Sequence, residues 1–260
     1  MIASRLPNKF RLVYICVIIL IAGCTPRELT RARELFNLAS VYRINGEDPQ
    51  ADQAYRDAIL SFQKIIEEET KDPKHLGNLQ VLAQAYALQA FAYIELGEFK
   101  EAEETIQQGS SIMLNANPRE RELFYILSGI LQTAQAARLN EKEKGRFQQN
   151  VVDLYKEAAA TFKALRDMPG VERDSDMVAY AREAEAISYG NIAAEYEADF
   201  GVNKNVNSLD KAIEYLQKAK ETCEQLLTKA SNKNRPYTQY LLNQYTRELE
   251  LAKRRKENIS

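Results

Sequence analysis

The sequence is short of the side chains that most catalytic and metal sites require. Its 260 residues include one histidine, His75, three cysteines and no tryptophan. With one histidine, no His pair can bind zinc, and the position beside Lys74 at a helix start is typical of a surface residue. The ten glycines are scattered singly, so no Gly-rich phosphate loop is present. We therefore expect no enzymatic activity, no metal site and no cofactor.

A strongly basic face is also missing. The chain has 35 basic and 37 acidic residues, for a formal charge of -2. Nucleic-acid binding usually needs clustered basic residues. The tail "KRRK", Lys253 to Lys256, is the one such cluster, and basic residues there suit the negative end of a helix dipole. The sequence therefore predicts no nucleic-acid partner.

No hydrophobic run near the start is long enough to cross a membrane. Leu12 to Ile21 is an apolar run of about ten residues, whereas a transmembrane helix needs about 20. It follows Arg5, Lys9 and Arg11 with no acidic residue between them. A basic start, a short apolar run and then small residues are the layout of a secretory signal peptide.

The end of that run resembles the lipobox of bacterial lipoproteins. In "LIAGC", Ile21–Cys24 provide an aliphatic residue, two small residues and a cysteine. In that family the thiol receives a diacylglyceryl group, the chain is cut just before it, and the new amino terminus is acylated, as with palmitate. The resemblance implies a signal peptide over residues 1–23 and a mature chain, 24–260, lipidated at Cys24. The alternative is an uncleaved anchor with a buried cysteine, which would need a longer apolar run.

A lipidated mature chain would lie in the cell envelope. Thr25 follows the cysteine, whereas Asp is the common signal for inner-membrane retention, so in a Gram-negative bacterium we expect the outer membrane, facing the periplasm. Cleavage would remove Cys16 and three of the 35 basic residues but none of the 37 acidic ones, so the formal charge would fall from -2 to -5. Cys223 would remain alone, without an intramolecular disulfide, as a small half-buried helix residue.

The rest of the sequence has the periodicity of amphipathic helices. Ala51, Tyr55, Ala58, Phe62 and Ile65 lie three or four residues apart, which is typical of one helix face. No run alternates apolar and polar residues for long enough to indicate a strand. The predicted fold is all-α, with about nine helices: roughly 27–45, 50–70, 74–96, 98–114, 119–138, 141–167, 174–200, 208–230 and 236–256.

One segment, "AYALQAFAYIELGEFKEAEETI", resembles a tetratricopeptide repeat. The family packs two antiparallel helices in each repeat, and a small residue on each lets them approach closely. Ala90 and Ala102 occupy those small positions, and Gly97 lies in the turn. The large residues of the pattern are Tyr86 and Tyr93 on the first helix and Phe99 and Ile106 on the second.

Three further segments repeat this arrangement less regularly. Their sets are Leu35, Ala39 and Tyr42 with Tyr55, Ala58 and Phe62; Tyr125 and Gly129 with Tyr155, Ala158 and Phe162; and Tyr189, Ala193 and Tyr196 with Leu209, Ala212 and Leu216. They depart from the family in lacking its tryptophan, in having Gln132 where a tyrosine is expected, and in exceeding its period of about 34 residues. We expect extended turns at "GEDPQAD", "RLNEKEKG" and "GVNKNVN".

The resemblance implies an α-solenoid of about four irregular antiparallel helix pairs. The exposed end of such a stack needs a cover with a polar outer side. Tyr237, Leu241, Tyr245, Leu249 and Ala252 form one stripe of the last predicted helix. We therefore predict that residues 236–256 form a capping helix and that residues 24–260 form one helical repeat domain.

In tetratricopeptide proteins the first helix of each pair lines a concave face, which implies where a partner would bind. The residues that the resemblance places there are Arg33, Phe36, Arg43, Gln84, Phe91, Ile94, Glu95, Ile126, Ile130 and Ile187. Such a groove would be apolar in its middle and charged at one end. The alternative is that its apolar residues are simply core.

Two functions fit this reading. The first is a lipid-tethered adaptor that holds a peptide or helix of another envelope protein, as tetratricopeptide lipoproteins of envelope assembly do. The second is a small apolar ligand-binding lipoprotein, resembling the tetratricopeptide-type component associated with some periplasmic-binding-protein-dependent transporters. In either case the membrane is a partner through the amino-terminal lipid.

Overall fold

The computed structural model describes residues 27–71, 78–113, 118–143, 146–168, 176–228 and 234–259. Throughout these ranges the chain forms helices and connecting turns and no strand. The helices are α1 (Arg27–Asn45), α2 (Asp48–Glu69), α3 (Leu79–Leu96), α4 (Phe99–Ile112), α5 (Pro118–Glu143), α6 (Gln149–Asp167), α7 (Asp176–Asn203), α8 (Val206–Leu227) and α9 (Arg235–Glu257). The predicted all-α class is confirmed for these residues.

Consecutive helices pack against each other as the helix pairs of an α-solenoid do. The chain divides into two compact units, Met1–Leu127 and Ser128–Ser260, and the division falls within α5. In the first unit α1 packs on α2, α2 on α3, and α3 on α4. In the second unit α6 packs on α7, α7 on α8, and α8 on α9. The predicted series of helix pairs followed by a last, unpaired helix is therefore confirmed.

The small residues predicted at the helix contacts are all buried. They are Ala39, Ala58, Ala90, Ala102, Gly129, Ala158, Ala193 and Ala212. At Gly129 the reason is direct, because an added Cβ would lie 2.5 Å from Cε1 of Phe162. The rings of Phe124 and Tyr245 occupy the same kind of space beside Gly109 and Gly190, two positions that the repeat pattern missed. Small residues thus set the separation of helices in both units.

The first two helix pairs are closed by the same tight turn. Gly46 and Gly97 adopt left-handed conformations, with φ of 80° and 74°, which glycine tolerates without a Cβ penalty. The backbone N–H after each glycine donates back to the helix, from Glu47 to the Tyr42 carbonyl and from Glu98 to the Tyr93 carbonyl, both at 2.9 Å. The extended turn predicted at "GEDPQAD" is therefore wrong, because α2 begins at Asp48.

The predicted boundaries are also wrong in the second unit, where helices run further into the expected turns. Helix α5 continues to Glu143 instead of ending near 138, since "RLNEKE" consists mainly of good helix formers. Helix α7 continues to Asn203. Only Lys204 and Asn205 separate it from α8, and Lys204 takes the left-handed conformation with φ of 55°.

The last helix covers α8, as predicted for a cap. Its residues Leu241, Tyr245, Leu249 and Ala252 are buried. Its first turn is tied to α7, where the Glu183 carboxylate accepts hydrogen bonds from Nδ2 of Asn234 at 2.9 Å and from the Thr238 hydroxyl. This end of the second unit is therefore closed by apolar packing and by a buried polar contact.

Cys223, on α8, is a free cysteine and is buried. The prediction of a half-buried thiol underestimated this burial. Burial raises the pKa of its thiol to about 12, so the thiol is protonated at neutral pH.

None of the helices within the described ranges is both long and apolar enough to cross a membrane.

Candidate functional site

The predicted lipidation site, Cys24 in the lipobox Ile21–Cys24, lies outside the described residues. The other predicted site residues, those of the groove, lie on the first helices of the pairs. Eight of them belong to the first unit, whereas Ile130 and Ile187 belong to the second.

The six large apolar residues predicted for the groove are buried. Exposure is between 2% and 7% for Phe36, Phe91, Ile94, Ile126, Ile130 and Ile187. Phe36 meets Phe91 edge to face, with ring centroids 5.7 Å apart, and also meets Tyr55 at 5.5 Å. Burial of this kind agrees with the alternative reading of these side chains as core, and their role in binding stays a prediction.

Arg43, predicted at the charged end of the groove, lies in an ion-pair network between α1, α2 and α3. Its guanidinium contacts Asp48 at 2.8 Å and also Asp52. It donates to the backbone carbonyl of Glu95 at 3.3 Å, and the Glu95 carboxylate lies 4.0 Å away. The Tyr55 ring lies 5.8 Å from the guanidinium carbon. The structure thus brings Arg43 and Glu95 together, in contacts within the chain.

The remaining predicted polar residues differ in their exposure. Arg33 is half-buried on α1. Gln84 is buried on α3, a helix whose residues from 81 to 92 are buried on every side. A helix that is apolar or small-residued all round is expected in a core, and "VLAQAYALQAFA" has that composition. Arg33 and Arg43 are the two cations predicted for the groove, and both are half-buried.

Sequence reasoning missed a set of buried acidic residues on α7: Glu183, Glu185, Glu195 and Asp199. Burial raises the pKa of Glu185, although Arg166 lies 3.7 Å away and the Tyr189 hydroxyl donates to it at 3.1 Å. Asp199 instead has a lowered pKa, because Ser208 and Asn203 donate hydrogen bonds to it. The available signal was the presence of acidic residues among the small and apolar residues of "AREAEAISYGNIAAEYEADF".

An exposed apolar face on α1 was missed as well. Leu38, Val41 and Ile44 lie three residues apart and are each about half exposed. Single exposed aliphatic residues are ordinary on protein surfaces.

Within the described ranges, no group of three or more His, Cys, Asp or Glu side chains is placed to hold a metal ion.

Comparison with known proteins supports the helix-pair class. Residues 83–112 match the family model described as a tetratricopeptide repeat. The match covers most of α3 and all of α4, the segment with Ala90 and Ala102 at the contact. No curated protein matches the chain. The chain is thus an all-α helix-pair protein that contains a tetratricopeptide repeat, and such repeats generally mediate contacts between proteins.

Proposed function

We propose that the chain is a lipid-anchored protein of a bacterial cell envelope that acts as an interaction scaffold. It holds a peptide or helix of another envelope protein against the concave face formed by the first helices of the pairs. In a Gram-negative bacterium it is attached to the outer membrane and faces the periplasm. It performs no catalysis.

The observation that carries the scaffold proposal is the tetratricopeptide match over residues 83–112. It is supported by the helix pairs on either side of that segment, which have the same buried small residues. The lipid anchor is supported by the sequence, in which a basic leader, a short apolar run and "LIAGC" follow one another in the required order. The small-ligand alternative stays a prediction.

Lipidation is tested by metabolic labelling with radioactive palmitate in a bacterial host. Cys24→Ala should abolish incorporation and release the protein from the membrane fraction. The matched control is Cys223→Ala, because Cys223 is a buried thiol on α8 and its loss should leave the label in place. Label that persists in Cys24→Ala would contradict the anchor but would leave the scaffold proposal standing.

The scaffold role is tested by purifying the tagged, membrane-bound protein from its own envelope after mild chemical cross-linking. Quantitative mass spectrometry should find one or a few envelope proteins at near-stoichiometric amounts. An unrelated lipoprotein with the same tag is the control for background. Recovery of the protein alone, with efficient cross-linking of a known complex in the same sample, would contradict the proposal.

A further inference from the structure

The outer side of α1 is apolar in the second half of the helix. Leu38, Val41 and Ile44 are 44%, 51% and 41% exposed. Successive members are three residues apart, so they form one stripe along the helix. The buried residues Phe36 and Ala39 lie on the other side, where α1 packs on α2 and α3. The stripe is therefore an apolar surface that no described helix of the first unit covers.

An uncovered apolar side is unusual on the first helix of a repeat stack. Terminal repeats need a polar outer face or a covering element, and α9 provides such a cover for α8 in the second unit. Contiguous exposed apolar surface generally marks a contact site. The stripe on α1 therefore calls for a partner that is itself apolar.

The proposed lipid anchor brings this stripe close to a membrane. In the mature chain Cys24 would carry the acyl chains, and α1 begins at Arg27. Three residues of backbone span at most about 11 Å, so the start of α1 stays within that distance of the acylated residue. Leu38 and Ile44 are about 17 Å and 26 Å further along the helix axis. An α1 that lies flat on the bilayer brings the whole stripe to the lipid, whereas an upright α1 carries it into water.

The first turns of α1 are charged, as suits the headgroup region of a bilayer. Arg27 and Arg31 are exposed, and they precede Leu38 by eleven and seven residues, which places them on the same side of the helix. Their guanidinium groups can bind lipid phosphates, while their stems lie along apolar surface. Glu28 and Glu34 are exposed as well, so the net charge is small. The apolar stripe therefore supplies most of the attraction.

A lipid surface fits this stripe better than a second copy of the chain does. Stable interfaces between proteins bury about 800 Å² on each partner, far more than three half-exposed side chains offer. Contact with the membrane needs no such area, because the tether makes it an intramolecular event at high effective concentration. A small apolar stripe beside a lipid anchor is therefore sufficient.

We propose that α1 lies flat on the bilayer, with Leu38, Val41 and Ile44 inserted just below the lipid headgroups as in other interfacial helices. The proposal rests on the lipid anchor and does not depend on the scaffold role. Its consequence is that the first unit is held at a fixed orientation to the membrane instead of swinging on its acyl tether.

The test uses the full-length lipidated protein in vesicles of phosphatidylethanolamine and phosphatidylglycerol. A nitroxide spin label is attached in Val41→Cys, in a Cys223→Ala background that leaves no other free thiol in the mature chain. Electron paramagnetic resonance compares collisions of the label with oxygen, which concentrates in lipid, and with a polar nickel chelate, which stays in water. The control is Gln108→Cys, at an exposed position on α4.

The ratio of oxygen to nickel collisions should be at least about fivefold higher at position 41 than at position 108, because the bilayer excludes the polar chelate. Equal ratios in vesicle-bound protein would overturn the membrane contact and leave the lipid anchor standing. A fall in both collision rates, with magnetic coupling between labels, would place a second copy on the stripe and also overturn it. Failure of the protein to bind vesicles would overturn the anchor and this proposal together.

A second measurement needs no substitution. Vesicles that hold the wild-type protein include a phospholipid with a photoreactive group near the top of its acyl chain, and tryptic peptides are analysed by mass spectrometry. The peptide 34–43, which contains Leu38 and Val41, should carry the lipid, whereas the peptide 101–119, which begins on α4, should not. Absence of lipid from peptide 34–43, with efficient labelling of a known membrane-contacting protein in the same vesicles, would overturn the proposal.

Discussion

At the scale of single residues, glycine at a helix contact differs from glycine on an open helix surface. Gly129 lies against the Phe162 ring, with space for no additional carbon. Gly201 is exposed on α7 and has no neighbouring atom within 4 Å of an added Cβ. One substitution therefore has opposite consequences at the two positions.

Gly129→Ala should lower the free energy of unfolding by about 1 to 3 kcal/mol, because the new methyl group overpacks the contact with Phe162. Gly201→Ala should leave it unchanged or raise it by up to about 1 kcal/mol, since alanine favours helix. Urea denaturation followed by circular dichroism measures both. Equal effects of the two changes would show that the contact is not as close as described.

Arg43 offers a second test, because its side chain is largely buried although its partners Asp48 and Asp52 are exposed. The side chain is 11% exposed, and Arg43→Met should cost about 1 to 3 kcal/mol, since it removes the hydrogen bond to the Glu95 carbonyl and the charged contacts with Asp48 and Asp52. Arg56, which is 54% exposed and pairs with Glu98 at 2.8 Å, is the matched control, and Arg56→Met should cost about 0 to 1 kcal/mol. Denaturant midpoints compare the two, and similar losses would count against the network.

These residues also show how far the sequence can predict the molecule. The alanines at the pair contacts were predictable, because their spacing follows the repeat. Arg43 was predicted as a groove cation because of its position on α1. Its actual contacts involve the Glu95 carbonyl, 52 residues away, and no local pattern specifies such a neighbour.

At the scale of helices, the docking of α9 depends on a polar contact as well as on its apolar stripe. Thr238 is fully buried, and its hydroxyl donates to Glu183 of α7. Thr238→Val removes that donor from a buried carboxylate at nearly constant volume. We expect the free energy of unfolding to fall by about 1 to 3 kcal/mol. Hydrogen exchange should then become faster throughout α9. Thr246→Val, at a half-buried position on the same helix, should leave exchange nearly unchanged, and an equal change would contradict the docking role.

Helix boundaries were predicted well where a residue type forces the chain to turn. Helix α1 ends at Asn45, as expected, because Gly46 follows it in a left-handed conformation. No such residue is present in "RLNEKE", where α5 continues, and a lysine rather than a glycine closes α7. Turns were predicted in these places from the polar composition, although the residues of "RLNEKE" are mainly good helix formers.

At the scale of the whole molecule, the buried acids of α7 contribute to the dependence of stability on pH. Burial raises the pKa of Glu183, Glu185 and Glu195, so their contribution is complete below pH 4.5 and is lost as the pH rises through the raised values. Asp199 acts in the opposite direction, because its lowered pKa adds stability that is lost only below about pH 4.

The melting temperature should therefore be higher at pH 5 than at pH 7.5, at constant ionic strength. Glu195→Gln should reduce the difference, because glutamine cannot ionise. Differential scanning calorimetry measures it. A melting temperature that rises from pH 5 to pH 7.5 would contradict the raised pKa values of the three glutamates.

The binding surface that we propose lies on the first helices of the pairs. The apolar residues predicted for it are buried, and Arg43 and Glu95 contact each other. Arg33 is a half-buried cation on α1, the first helix of the first pair. Lys64 is exposed on α2, the second helix of the same pair. In the proposed arrangement, position 33 would lie on the concave face and position 64 on the opposite side.

The most direct measurement is photo-cross-linking in living cells, with a light-activated amino acid placed in turn at position 33 and at position 64 of the full-length protein. We expect one discrete cross-linked species from position 33, containing an envelope protein identified by mass spectrometry, and little from position 64. The same adduct from both positions, or an adduct from position 64 alone, would contradict binding at the concave face. No adduct at either position, with both variants folded and membrane-bound, would contradict the scaffold itself.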